Sequence, residues 1–172
     1  ILQGKEFVGD DPFVVVLGDD IVYNPDNPAI GQLIKKFYEL KHDIIGCKRV
    51  PITEINKYGS IEYEKVDDKT FKILKCVEKP NIEEAPSDIA MLGRYVFTKE
   101  IFEHIEKTKP GVGDEIQITD SIDMLASKEG VYGYIYDGKR YDVGDKLGFL
   151  EATVEYALRN EELKDGFKSY LK

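Results

Sequence analysis

Short apolar runs without polar alternation recur along the chain, and such runs predict strands that are buried on both faces. The clearest is residues 13–17 (FVVVL), which ends at Gly18-Asp19-Asp20 and which we predict to be a central parallel strand. Residues 61–64 alternate between apolar and polar, and a turn at 67–69 follows, which predicts an antiparallel hairpin. The sheet is therefore expected to be mixed. Further strands are predicted at 43–50, 71–77, 90–97 and 131–136.

Between these strands, apolar residues recur at helical spacing. Asn27 and Pro28 provide an N-cap followed by a proline at the first helical position. Gly130 stands where a glycine commonly ends a helix. Residues 1–7 are typical of the tail of a helix, so the chain is expected to start inside an element. Helices are predicted around 30–37, 101–105, 118–126, 147–158 and 163–171.

The order of these elements predicts one α/β domain over residues 1–172, because no repeat, low-complexity tract or linker interrupts it. Hydrophobic residues make up 42% of the chain, which is enough for a packed core. The net charge of −9, from 24 Lys+Arg against 33 Asp+Glu, argues against a nucleic-acid partner, since so acidic a surface repels phosphate backbones.

The apolar runs also bear on location. None approaches the roughly 18 residues that a membrane span needs, and no basic-then-apolar leader opens the chain. Cys47 and Cys76 lie in strand-like apolar stretches, which indicates buried, reduced thiols. A cytoplasmic location without membrane contact is therefore expected. His42 and His104 have no ligand partner at metal spacing, and we predict both at the surface.

Acidic residues follow predicted strands, where open α/β sheets bind ligands. Asp19 and Asp20 come directly after a buried strand, and two carboxylates there could hold Mg²⁺, although Asp is also common in capped turns. Asp142 precedes a helix in a glycine-bounded loop. It could be a second metal ligand or the cap of that helix, a role that Asp145 could fill equally well.

The end of another predicted strand carries Glu78-Lys79. A carboxylate there could accept hydrogen bonds from sugar hydroxyls, and an ammonium could meet a phosphate as a point charge; an exposed ion pair is the alternative. Gly59 and Gly93 could let a ligand approach the backbone, or could serve a turn and a strand crossing. Residues 111–113 (GVG) lack the third glycine of a dinucleotide fingerprint, and no P-loop occurs.

Seven segments taken together resemble the bacterial UTP–glucose-1-phosphate uridylyltransferase family. They are, in chain order, FVVVLGDDI at 13–21, KYG at 57–59, VEKP at 77–80, GRYV at 93–96, GDEIQITD at 113–120, YDVGDKL at 141–147 and VEY at 154–156. The resemblance implies a Rossmann-like mixed sheet flanked by helices and the formation of UDP-glucose and pyrophosphate from UTP and glucose 1-phosphate. It also implies a homo-oligomer.

The same resemblance assigns roles to individual residues. Asp19 and Asp142 would hold Mg²⁺, with Asp19 and Lys79 taking part in catalysis. Glu78 would bind glucose hydroxyls and Lys79 the sugar phosphate, while Gly59 and Gly93 lend backbone to the sugar.

The family opens with a glycine-rich loop, Gly-x-Gly-Thr-Arg, which cradles the triphosphate, and nothing in this chain matches it. The fold is therefore expected to be incomplete at its N-terminus, and the isolated chain to turn over little substrate. The preference for UTP is implied by the resemblance alone. A thymidylyl- or adenylyltransferase for glucose 1-phosphate, a metal-dependent glycosyltransferase and a non-catalytic sugar-phosphate binding module remain alternatives.

Overall fold

The structure is a computed structural model that describes residues 1–111 and 114–172. Val112 and Gly113 lie outside the described residues, and Gly113 is the first residue of the GDEIQITD segment. The strands are β1 (Phe13–Val16), β2 (Asp20–Tyr23), β3 (Asp43–Arg49), β4 (Gly59–Lys65), β5 (Thr70–Glu78), β6 (Ile89–Phe97), β7 (Val131–Ile135) and β8 (Lys139–Asp142). The helices are α1 (Lys5–Val8), α2 (Ala29–Leu40), α3 (Glu100–Lys107), α4 (Ile118–Glu129), α5 (Lys146–Arg159) and α6 (Lys164–Tyr170). Single 3₁₀ segments lie at Leu2–Gly4, Ile52–Lys57 and Ile82–Glu84.

The main sheet is mixed and has the strand order β1-β6-β3-β7-β5-β4. Of the pairings between its described strands, β3–β7 is parallel and the others are antiparallel. The start of β4 also pairs with β6, through Gly59 opposite Met91 and Ser60 opposite Ala90, so the sheet closes on itself. The mixed α/β architecture is confirmed. The closed, mostly antiparallel arrangement departs from the open sheet expected of a Rossmann-like fold.

The prediction that residues 13–17 form a central parallel strand is wrong. β1 pairs antiparallel with β6 and stands at the end of the strand order, and Val14 and Val16 are about half exposed. The central strand is instead β6, in which every residue is buried. A short apolar run fits both situations, because its pattern records which side chains are apolar and not which faces are covered.

Helices cover both faces of the sheet, as the alternation of β6 shows. Met91 and Phe97 point toward a core that contains Phe102 of α3 and Leu125 of α4. Ala90, Leu92 and Val96 point from the other face of the strand and pack in a second core around α2. This period-2 division of one strand between two cores explains its uninterrupted apolar sequence.

The helix boundaries largely follow the sequence. Gly130 follows α4 with φ of 79°, in the region that favours glycine. Pro28 is the N-cap of α2 rather than its first residue. The prediction for His104 is wrong, because its side chain faces inward from α3 and is only 3% exposed. Both cysteines are free and buried, and burial raises the pKa of Cys47 to about 12. None of the helices in the described ranges has the length and apolar character to cross a membrane.

Candidate functional site

A second, two-stranded sheet brings the two predicted metal ligands to one place. β2 and β8 pair antiparallel with Asp20 opposite Asp142, so Asp19 stands at the same end of the ribbon as Asp142. The amide of Val143 donates a 2.8 Å hydrogen bond to the backbone carbonyl of Asp19. A Cβ atom placed on Gly144 would lie 3.3 Å from both Asp19 Oδ2 and Asp142 Oδ1. The two carboxylates therefore converge on the space beside Gly144.

This space belongs to a cavity of about 550 Å³. All the site residues predicted from the sequence line it, namely Asp19, Gly59, Glu78, Lys79, Gly93 and Asp142. The sequence placed the charged residues of this set at strand ends, and the closure of the main sheet beside the β2–β8 ribbon brings them together with the two glycines. The volume of the cavity lies within the usual range for a small-molecule site.

Glu78 and Lys79 enter the cavity at the end of β5. Glu78 pairs with Gly59 across the β4–β5 ladder, and its Oε2 accepts a hydrogen bond from Thr119 Oγ1. Lys79 has φ of 43°, a left-handed conformation that is uncommon for a residue with a side chain, and its amide donates to the carbonyl of Tyr58 at 3.0 Å. Pro80 follows directly and disfavours helical backbone at Lys79. The chain thus turns sharply where Lys79 lines the cavity.

Close packing requires glycine at position 93, whereas a side chain at position 59 would meet only the ends of other side chains. A Cβ on Gly59 would lie 2.6 Å from Met91 Cε and 3.2 Å from Glu78 Oε2. A Cβ on Gly93 would lie 2.8 Å from Leu17 Cβ, where the chain leaving β1 crosses β6. The structure thus supports the strand-crossing interpretation for Gly93, while Gly59 lies against the carboxylate of Glu78.

Asp20 does not join Asp19 in the cavity as a second open carboxylate. It is 4% exposed, and its oxygens accept from Arg94 Nη1 at 2.6 Å and from Arg140 Nε at 2.5 Å. Asp19 lies in the turn before β2, whereas Asp20 is the first residue of β2 and its side chain is directed to the arginines. Because both oxygens of Asp20 are engaged by arginines, Asp19 and Asp142 are the carboxylates left open to a ligand in the cavity.

Arg140 and Tyr58 are site residues that the sequence did not indicate. Arg140 Nη2 donates to Asp142 Oδ2 at 3.2 Å, and Nη1 donates to the Tyr58 hydroxyl at 3.2 Å. That hydroxyl in turn donates to Asp142 Oδ2 at 3.3 Å. Burial is the largest single influence and opposes the charge of Arg140, but the Asp20 carboxylate and the Tyr58 hydroxyl together outweigh it and raise the pKa of the guanidinium. Strand periodicity puts Arg140 and Asp142 on one face of β8, but it cannot show that the face is a site.

The position of Asp142 is fixed by α5. A Cβ on Gly148 would lie 2.0 Å from the carbonyl oxygen of Asp142, so the helix packs directly on the backbone of the loop. Asp145 caps this helix, accepting from the amides of Leu147 and Gly148. Since Asp145 supplies the cap, the Asp142 side chain is left to face the cavity. Tyr141 also ties β8 to α5, through a 2.6 Å hydrogen bond from its hydroxyl to Glu155.

The donor set suits a hard cation that shares its shell with a substrate. No group of three or more His, Cys, Asp or Glu close enough to hold a metal occurs in residues 1–111 and 114–172. Mg²⁺ commonly takes one or two carboxylates and completes its octahedron with water and phosphate oxygens. The converging carboxylates of Asp19 and Asp142 fit this coordination preference. They are too few for a site in which protein groups supply all or most of the ligands, as Ca²⁺ and Zn²⁺ prefer.

Comparison with known proteins places the chain in a family. Residues 1–159 match the family described as Nucleotidyl transferase. The UTP–glucose-1-phosphate uridylyltransferase of Staphylococcus epidermidis is 45% identical over all 172 residues, and that of Staphylococcus haemolyticus is 44% identical. The chain spans 59% of the length of these curated relatives.

Solved structures agree with the sequence relatives. A UDP-glucose pyrophosphorylase complexed with UDP-glucose matches with a TM-score of 0.88 and 38% identity, over 92% of this chain and 61% of that one. A UTP-bound UGPase from Acinetobacter baumannii matches with a TM-score of 0.86 and 31% identity, over 99% of this chain and 59% of that one. The chain therefore belongs to the nucleotidyl transferase family and is a homologue of the UTP–glucose-1-phosphate uridylyltransferases.

Proposed function

We propose that this chain provides the sugar-phosphate and cation site of an enzyme that converts UTP and glucose 1-phosphate to UDP-glucose and pyrophosphate. The observation that carries the proposal is the convergence of Asp19, Asp142, Glu78 and Lys79 on one cavity. Relatives at 45% identity bear the corresponding enzyme name, and a matching structure was determined with UDP-glucose. On this proposal the mixed sheet corresponds to part of the Rossmann-like sheet of such enzymes.

The groups in the cavity divide between the two halves of glucose 1-phosphate. Glu78 would accept hydrogen bonds from sugar hydroxyls, and the hydrogen bond from Thr119 to its Oε2 fixes which oxygen is left to do so. Lys79 would place a point charge against the phosphate. The opposed charges of neighbouring residues thus suit a ligand with a neutral, hydroxyl-rich end and an anionic end.

The reaction itself relies on positioning. An oxygen of the sugar phosphate attacks the α-phosphorus of UTP, and the bond from that phosphorus to the pyrophosphate oxygen breaks as the new bond forms. Such displacements depend on in-line alignment and on neutralising charge. Mg²⁺ held by Asp19 and Asp142 would supply the neutralising charge. The chain's own residues would hold the attacking phosphate still and keep its sugar oriented.

Other expectations belong to this proposal. We place the protein in the cytoplasm as a homo-oligomer, with UTP, UDP-glucose and glucose 1-phosphate as its ligands. The 172 residues contain no glycine-rich triphosphate loop, so we expect the chain alone to bind the sugar phosphate but to turn over little UTP.

Calorimetric titration of the chain with glucose 1-phosphate in MgCl₂ tests the proposal. We expect saturable binding, weakened about tenfold or more by Glu78→Gln and by Lys79→Met, since each removes a charged hydrogen-bonding partner. Glucose should bind more weakly than its phosphate, and Lys79→Met should remove that difference. Lys168→Met, on the exposed side of α6, is the matched control. Unchanged binding in both cavity variants would refute the assignment.

A further inference from the structure

Arg140 connects a buried carboxylate to the open one that faces the cavity. Its Nε donates to Asp20 Oδ1, and this hydrogen bond to a buried carboxylate holds the guanidinium in place. Its Nη1 and Nη2 reach the Tyr58 hydroxyl and Asp142 Oδ2. The side chain of Arg140 is 19% exposed and lines the cavity, whereas the side chain of Asp20, at the border of the same cavity, is only 4% exposed. One end of Arg140 is therefore fixed, and the other is available to a ligand.

The charges around Arg140 do not balance without Asp142. Arg94 and Arg140 share the single carboxylate of Asp20. This buried trio carries one surplus positive charge, and Asp142 neutralises it at 3.2 Å. The negative charge of Asp142 is thus already matched within the protein. A cation that binds Asp142 must compete with Arg140, and its arrival leaves the surplus positive charge of Arg94, Arg140 and Asp20 without a counter-ion.

A phosphate in the same cavity would supply the missing counter-ion. Arginine presents a planar fork that suits phosphate oxygens, and the anchored Nε would keep that fork in place. We propose that Arg140 couples the two ligands, releasing Asp142 to the cation as its outer nitrogens take the phosphate of the sugar. The inference rests on the function proposed above. By linkage, each ligand must tighten the other by the same factor.

Lysine could not perform this exchange. The observed geometry has one side chain contacting Asp20, Tyr58 and Asp142 at once through separate nitrogens. An ammonium is a single point charge and would remain on the buried Asp20, which leaves Asp142 without a cationic partner. Arg140→Lys therefore keeps the charge near Asp20 but breaks the link to the cation site.

Titration of the chain with Mn²⁺, followed by electron paramagnetic resonance of the free ion, measures the coupling. The titration is run alone, with saturating glucose 1-phosphate and with glucose, and is corrected for binding of Mn²⁺ to the sugar phosphate in protein-free buffer. In the unmodified chain we expect glucose 1-phosphate to tighten Mn²⁺ binding about tenfold, within the usual range of coupling between sites, and glucose to have no effect.

In Arg140→Lys we expect Mn²⁺ to bind more tightly on its own, and the effect of glucose 1-phosphate to fall below about twofold. Tyr58→Phe retains the guanidinium and should keep most of the coupling. Arg159→Lys, among the tyrosines of α5 and β2 and away from the cavity, is the matched control and should behave as the unmodified chain. Urea unfolding of each variant shows that it is folded.

Two results would overturn the inference. Coupling in Arg140→Lys equal to that of the unmodified chain would show that the guanidinium is not the link, and an unmodified chain with no coupling would show that no link exists. Failure of the proposed function is a separate result, because the unmodified chain would then not bind Mn²⁺, or Asp142→Asn would not weaken its binding.

Discussion

The backbone carbonyl of Asp19 accepts a 2.8 Å hydrogen bond from the amide of Val143, and this bond ties together the two loops that carry the cavity carboxylates. The loops come from opposite ends of the chain, and the β2–β8 ribbon sets their relative position. The spacing between the carboxylates is therefore a property of backbone pairing. It does not depend on the rotamer of a long side chain, which is what a preorganised ligand site requires.

Gly144 should be essential for the cation and dispensable for the fold. A Cβ there would lie 3.3 Å from an oxygen of each carboxylate, in the space that a shared ion would occupy, and its φ is not in the region reserved for glycine. We expect Gly144→Ala to weaken Mn²⁺ binding about tenfold while changing the free energy of unfolding by less than about 1 kcal/mol. Gly31→Ala, whose added Cβ meets nothing within 4 Å, should leave Mn²⁺ affinity unchanged.

Gly148 should be essential for the fold itself. An added Cβ would lie 2.0 Å from the carbonyl oxygen of Asp142, and backbone offers no rotamer by which to move aside. We expect Gly148→Ala to destabilise the chain by about 3 kcal/mol in urea unfolding, the upper part of the range for overpacking. Gly31→Ala serves again as the control and should be neutral or stabilising, since it lies within α2. Equal stability of the two variants would contradict the packing of α5 on β8.

Thr119 should act on the sugar and not on the cation. Its hydroxyl donates to Glu78 Oε2, while valine has the same shape and no donor. We expect Thr119→Val to weaken glucose 1-phosphate binding by about tenfold or more, the loss of one hydrogen bond to a charged group. Mn²⁺ binding measured without the sugar should not change. Thr153→Val, on the exposed side of α5, is the matched control. Sugar affinity equal to the control's would remove Thr119 from the site.

Asp43 should make stability depend on pH. It is 4% exposed, and burial raises its pKa to about 6 even though the amide and hydroxyl of Thr98 donate to it. Since the folded pKa lies above the unfolded value, the stabilising contribution is full below about pH 4 and is lost as the pH rises through 6. Relative to Asp43→Asn, the unmodified chain should lose about 2 kcal/mol of unfolding free energy between pH 4 and pH 7.

Urea unfolding of both proteins across that pH range measures the difference. Asp26→Asn, at an exposed position, is the control and should track the unmodified chain at every pH. A constant difference between Asp43→Asn and the unmodified chain would show that folding does not change the pKa of Asp43.

Asp19 and Glu78 could be predicted from the sequence because they lie at the ends of predicted strands, and strand ends of a sheet collect at its edges. Asp142 was singled out in a loop before a helix, and its role came from the resemblance, since β8 was not predicted.

The different environments of Asp19 and Asp20 could not be predicted from the sequence. They depend on Arg94 and Arg140, which pair with Asp20 only after β2, β6 and β8 have come together. Sequence patterns record the character of each position, whereas this contact depends on tertiary approach.

The edge position of β1 and the closure of β4 onto β6 were hidden for the same reason. An apolar run is typical of a strand covered on both faces and also of one covered on a single face. No local sequence pattern predicts that Gly59 pairs with both Glu78 and Met91. The division into a single domain and the homo-oligomer stay predictions.

The central claim is that Asp19 and Asp142 hold one cation together, and a double-mutant cycle on Mn²⁺ binding tests it most directly. Asp19→Asn, Asp142→Asn and the double variant are titrated beside Asp26→Asn as the control. We predict that each single variant weakens Mn²⁺ binding by about tenfold or more and that the double variant is little worse than either, since two ligands of one ion act as a unit. Wild-type affinity in both single variants, or losses that simply add, would contradict the shared site.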